Sequence, residues 1–477
     1  MSTYLIGESP VDLHVIGAGL RYGWLPPRLP GPLIGWDDLD TVSLSDLEAF
    51  EAAGWRFHPQ ADLNWRAAEA MNGGAIQVGL LAKHSWGGLV ILPNHLVVSW
   101  PEGTPPPLDG DEVERLPLNR NVYDVRMRLP DSNLEGAIVA RIAAYQNLMN
   151  GFDQDVAAEP MLFYHLVHRG VLFNIGTSAT FGLKTDPTTQ WHWDNIHVPD
   201  AWDKGNDPTR RGKGARVAVI DRGFDINNTQ IKSNIAETAF LSAQGSRLTN
   251  APFPTNSHGT LCAGLVGAVL DGVTVNGAAP ECTLMLVAVE KIAPQVGVAK
   301  AIELATGGID GNPGADVISC SIGPTARSWE LSSELANAIR ATYSAGRGGK
   351  GLLIVWADFD VHKPIRPNSV EASPDVLCVG QNNSSDQPGS CGFGPGLSLL
   401  APGVNVTGIT GTVTGASCSA PIVAGVAALA LAKNSGLNAS QLAKLITDNC
   451  DRPLHPNQAT SDEGWGRLNA ARAIDRA

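Results

Sequence analysis

An α/β fold, a parallel sheet with helices on both faces preceded by a small α+β domain, is the architecture that three features of this sequence predict. From residue 216 onward, continuous apolar runs alternate with helical segments of small residues, as strands buried on both faces require. Between residues 92 and 168 the pattern is different: strand, break, strand, helix, strand. The chain of 477 residues, 43% hydrophobic with 52 glycines, is a globular protein rich in tight turns and long enough for two domains.

Composition narrows the function. The formal net charge is -13 and no Lys/Arg-rich run occurs, which argues against nucleic acid or an anionic membrane as partner. The segment Met1 to Pro10 lacks the basic start and apolar core of a secretory signal, no run approaches a membrane span, and the seven cysteines have no metal-ligand spacing. A cytoplasmic protein with reduced, packed thiols is expected.

In chain order, Trp24 to Trp36 is Pro/Gly-rich and should be irregular. Leu44, Leu47 and Phe50 then recur at helical spacing, capped by Ser43 or Ser45 and stopped by Gly54, and a second short helix is expected at Asn64 to Met71. The next unit has strands at His95 to Trp100, Asn121 to Leu129 and Met161 to Val167, a helix at Leu134 to Leu148, and a break at Pro101 to Gly110. Gly170 to Thr189 reads as a linker. Beyond it, strands are expected at Arg216 to Ile220, Leu284 to Val289, Val317 to Ser321, Leu352 to Trp356 and Val376 to Val379. Helices are expected at Gly259 to Val269, Glu330 to Ala345, Pro421 to Leu431 and Ala439 to Thr447. Sites in such sheets gather at the carboxyl ends of strands.

Three residues of complementary chemistry fall at such places. Asp221 closes the apolar strand Val217 to Ile220, His258 opens a helix of small residues, and Ser417 sits in Gly415-Ala416-Ser417-Cys418-Ser419-Ala420-Pro421 at the mouth of another. Each alone has a structural reading, as a turn cap, a helix-start histidine and a helix cap. Together they supply a nucleophile, a base to take its proton and a carboxylate to orient that base, beside a helix N-terminus that can stabilise an oxyanion.

These segments resemble the subtilisin-like serine proteases, whose triad has this chain order, and most closely the kexin/furin branch. The likeness is carried by His258-Gly259-Thr260-Leu261-Cys262-Ala263-Gly264, Ser319-Cys320-Ser321-Ile322-Gly323-Pro324, Gly349-Lys350-Gly351 running into Leu352 to Ala357, Gly415 to Gly425, and the closing Glu463-Gly464-Trp465-Gly466-Arg467-Leu468-Asn469-Ala470, and it covers about residues 186 to 477. It implies a subtilisin-like sheet, peptide-bond hydrolysis with Asp221, His258 and Ser417 as the triad, a protein or peptide substrate, and Ser321-Ile322-Gly323 as the strand to which substrate adds. Residues 91–170 resemble a subtilase propeptide more weakly; a tandem adaptor domain is the competing reading. The expected organisation is residues 1–90 of unassigned role, a propeptide-like domain 91–170, a linker 171–189 and a catalytic domain 190–477, with residues 1–185 available to a protein partner. No cofactor is required; calcium is common in the family, and Asp271, on the loop Leu270 to Val275, is the candidate ligand.

The sequence departs from the branch in several places. Arg222 follows the triad aspartate where kexins carry an acid, Thr325-Ala326-Arg327 replaces an acidic pair, and the chain ends where kexins continue into a β-sandwich. Dibasic specificity is therefore not expected. Arg222 should instead line the pocket for the second residue before the cut and repel basic side chains there. Asp360 aligns with the oxyanion-hole asparagine, and Phe359 with a glycine. Two functions follow: a serine endopeptidase restrained by its N-terminal region, or a catalytically impaired subtilase-fold binding module.

Overall fold

The computed structural model describes residues 2–6, 9–22, 41–53, 55–58, 76–84, 89–100, 103–108, 110–117, 121–128, 134–149, 157–168, 172–173, 190–202, 207–271, 275–324, 328–451 and 460–477. The irregular stretch expected at Trp24 to Trp36, the helix at Asn64 to Met71, Thr325 to Arg327 and all of the expected 171–189 linker except residues 172–173 lie outside the described residues.

Seven parallel strands form the central sheet, in the order Ile235–Leu241, Thr283–Val289, Arg216–Asp221, Val317–Cys320, Leu353–Ala357, Val376–Asn382 and Leu399–Pro402. Alternate side chains enter opposite apolar clusters. Val217 and Val219 join the one that holds the helices Ser257–Gly267 and Ala416–Lys433, whereas Ala218 and Ile220 join the one that holds Gln295–Gly307 and Ser333–Gly349. This is the predicted fold class, and the two-sided burial explains why the strands read as unbroken apolar runs. Ala416–Lys433 is the one helix among the described residues long and apolar enough to cross a membrane, and 89% of it is buried inside the protein, as a core helix is.

That helix starts at Ala416, five residues before the expected Pro421, and so takes Ser417 into its first turn. Proline inside a helix lacks the N–H that would bond the carbonyl four residues back. Here that carbonyl belongs to Ser417, and it accepts from the Cys262 thiol and the Ser321 hydroxyl, each at 3.4 Å.

Residues before 170 build two antiparallel sheets. The first contains the hairpin Ser2–Ile6 and Ser9–Tyr22, which no sequence period announced, then Ile76–His84, Leu89–Pro93 and Phe163–His165, and it ends on Ile292–Ala293 of the C-terminal half. Its strand Leu89–Pro93 spans residue 90, so segments 1–90 and 91–170 share one sheet. The second sheet orders Glu112–Arg115, Val122–Arg126, His95–Ser99 and Ala157–Pro160, with the helix Leu134–Met149 burying Ile138, Ile142 and Tyr145. Glu112–Arg115 follows the expected break, and the strand expected at Met161 to Val167 divides into Phe163–His165 and Val167–His168, which take different partners.

The two halves are joined by more than sheet edges. Buried Phe50, Trp55, Phe163 and Tyr164 belong to the same apolar cluster as Ile302 and Ile339. Glu159 accepts from the main-chain N–H and hydroxyl of Ser333, which places a carboxylate at the positive end of the helix Ser333–Gly349.

Candidate active site

Asp221 ends its strand in the middle of the sheet, and its two carboxylate oxygens have separate tasks. Oδ1 accepts from the Arg222 N–H at 2.7 Å, and Oδ2 lies 2.7 Å from His258 Nδ1. Asn256 caps the helix that carries His258, accepting from the His258 N–H at 2.8 Å. Thr260 ties that helix to the loop after Asp221: its hydroxyl donates to the Asn256 carbonyl and accepts from the Asp225 N–H. Gly259 is required because a Cβ there would lie 2.1 Å from the Gly223 carbonyl oxygen, and this close approach sets the imidazole against the carboxylate.

Cys262, one helical turn after His258, links these groups to the serine. Its sulfur lies 3.8 Å and 3.9 Å from the two ring nitrogens of His258 and donates to the Ser417 carbonyl. Burial, with the Asp221 charge adding to it, pushes the Cys262 thiol well above its ordinary range, so it stays protonated as a donor. Asp221, His258 and Ser417 are all 0% exposed, and the Ser417 hydroxyl makes no hydrogen bond among the described residues. A carboxylate that holds Nδ1 leaves the outer imidazole nitrogen to act as base, and Ser417 lies in the first turn of a helix, where N–H groups have no intrahelical partner.

Asp360 follows the strand Leu353–Ala357 and reaches the same helix terminus. Its Oδ1 accepts from the Ala416 N–H at 2.9 Å and from Gln381 Nε2 at 3.0 Å. Phe359 does not adopt a positive φ, and its ring is buried with Ile365, Cys391 and Leu397, so the chain accommodates it where the family has glycine.

The cleft side of Ser321-Ile322-Gly323 is covered by the chain itself. Val167–His168 runs antiparallel to it, His168 opposite Ile322 and Val167 opposite Gly323. On the other side, Tyr164 pairs with Ala293 and His165 with Ile292, and the Leu166 N–H donates to the Lys291 carbonyl at 2.9 Å. Residues 163–168 thus thread between two strands of the C-terminal half, and Leu172–Phe173 pairs further on with Gly411–Thr414. Nothing local in the sequence signals these pairings, because the strands are two or three residues long and their partners lie more than a hundred residues away. Arg222 reaches this segment, and its Nη1 donates to the Leu166 carbonyl at 2.9 Å.

Asp271 stands apart from this group. Its Oδ2 accepts from Gln230 Nε2 at 3.3 Å, and residues 272–274 of its loop lie outside the described residues.

Residues 212–466 match the model of the subtilase family. The chain is 30% identical to a thermostable alkaline protease of Halalkalibacterium halodurans, over 60% of this chain and 73% of that protein. It is 27% identical to thermitase of Thermoactinomyces vulgaris, over 58% and 93%. It is also 27% identical to a calcium-dependent protease of Trichormus variabilis, over 56% of this chain and only 47% of that protein, about half its length. Among solved structures, a protease of Pseudoalteromonas arctica shares the fold with a TM-score of 0.50 and 24% identity, covering 61% of this chain and 97% of that one. These matches carry the family and not the kexin/furin branch within it.

Proposed function

The chain belongs to the subtilase family, and from that footing we propose that it is a serine endopeptidase whose cleft is held shut by its own residues 163–168. The observation that carries the reading is the 2.7 Å contact of Asp221 Oδ2 with His258 Nδ1, joined through Cys262 to Ser417 in a helix's first turn. In the proposed reaction His258 takes the Ser417 proton as the hydroxyl oxygen attacks the peptide carbonyl, and Asp221 stabilises the imidazolium. His258 then gives the proton to the leaving amine. Water enters the same way and releases the acyl group from Ser417. The substrate is an extended peptide added to Ser321-Ile322-Gly323. Within the family, the kexin/furin branch is the part that four sequence segments resemble most, and that branch's dibasic preference is no part of the proposal, since Arg222 stands where kexins carry an acid.

A second reading, a subtilase-fold binding module without activity, is favoured by Asp360, whose Oδ1 serves as an acceptor at the position of a family hydrogen-bond donor. A fluorophosphonate probe separates the two. A covalent adduct on Ser417, absent from Ser417→Ala and faster after limited proteolysis within residues 1–185, is the expected result. No adduct on the wild-type chain, before or after that proteolysis, would leave the binding module.

A further inference from the structure

The side chain after Asp221, expected from the sequence to line the pocket for the second residue before the cut, has a main-chain partner. Arg222 sends its guanidinium to the main-chain carbonyl of Leu166, a residue 0% exposed in the segment that fills the cleft. The same residue's N–H is held by the Lys291 carbonyl, so both backbone groups of Leu166 are bound by the protease half, one by a strand edge and one by a charged side chain. From this geometry we infer that Arg222 is a main-chain receptor: it holds the carbonyl of the residue just before the one paired with Gly323, in any extended peptide seated in the cleft. The inference rests on the reading of this cleft as the substrate site.

The electrostatic setting fits such a role. Burial lowers the Arg222 pKa, opposed in part by the Asp221 charge, and the Lys291 ammonium is lowered by burial and then by Arg222 itself, with Glu48 opposing. A buried guanidinium beside a second cation gains from a polarised acceptor, and a peptide carbonyl supplies one without regard to the side chain it belongs to. Recognition at this point is therefore of backbone, and the apolar Leu166 side chain is compatible with it. A structural role confined to Asp221 is served by the Arg222 N–H, which any residue but proline would provide.

Hydrogen exchange on the intact chain tests the inference without relying on turnover. In Arg222→Ala the amides of residues 163–168 should exchange at least about ten-fold faster. Those of Arg216–Asp221 and Ser257–Gly267 should keep their wild-type rates, and Arg222→Lys should fall between. Unchanged exchange in 163–168, or a uniform rise across all three segments, would overturn it. An inactive chain that shows the segment-specific exchange would remove the protease reading and leave the receptor standing.

Discussion

Pro421 stands four residues after Ser417 and, having no N–H, leaves the Ser417 carbonyl to the Cys262 thiol and the Ser321 hydroxyl. A residue that weakens the helix thereby connects three parts of the site: the helix with the histidine, the segment Ser321-Ile322-Gly323, and the serine between them.

Pro421→Ala restores the helical donor to the Ser417 carbonyl. Proline costs about 3 kcal/mol in a helix interior relative to alanine, so the melting temperature should rise by several degrees. Turnover should fall several-fold, because Cys262 and Ser321 then share their acceptor with a third donor. Thermal scans and kcat on one preparation check both signs, and unchanged turnover would show that those two donors do not position Ser417.

Asp360→Asn keeps an oxygen for the Ala416 N–H and adds an amide N–H to the same side chain. A missing oxyanion donor costs about 10²–10³ in turnover, and this substitution should recover at least ten-fold of it at pH 8. No gain would mean that Asp360 does not face the developing charge.

His192 is 0% exposed, its ring nitrogens have no hydrogen-bond partner among the described residues, and its ring centroid lies 4.4 Å from that of Trp193. Burial lowers its pKa from 6.5 to about 3. The folded state therefore holds the ring neutral over a range in which the unfolded chain takes up a proton, and the stability present above the ordinary value is lost as pH falls toward the lowered one. The loss should be on the order of 3 kcal/mol by about pH 4.5. His192→Phe should lessen the drop in melting temperature between pH 7 and pH 4.5; an identical drop in both proteins would show that another group governs acid unfolding.

Self-cleavage should fall just beyond His168, where the described strand opposite Ile322 ends. His168 is opposite Ile322, and the next residue back along that strand, Ser321, touches Ser417. Intact mass spectrometry of the wild-type chain should show a fragment ending just beyond His168 that Ser417→Ala lacks. A Ser417-dependent cut elsewhere would refute the register.

Part of the fold and of the site is legible in the sequence alone. The central sheet was legible because its strands are buried on both faces, and Asp221, His258 and Ser417 stood out because each sits at the end of one regular element, among small residues. The start of the Ala416–Lys433 helix was misjudged because Pro421 looks like a helix beginning, and the reason it is tolerated lies in Cys262 and Ser321, far away in sequence. The filling of the cleft by residues 163–168 depends on pairings of two or three residues across long separations, which leave no period. Arg222 was noticed for its charge, but its partner is a main-chain carbonyl, and carbonyls look alike in a sequence.

The strand Phe163–His165 has two neighbours: Leu89–Pro93 on one edge and Ile292–Ala293 on the other. Any substrate must therefore compete with a ligand that the protein presents to itself at an effective concentration of about millimolar or more. Cutting the chain after His168 would leave the covering strand paired with Ile292–Ala293 but would remove the tether, so that the severed piece is displaced as it is diluted. Occupancy of the site is then set by how firmly that strand stays paired with Ile292–Ala293 once the tether is gone.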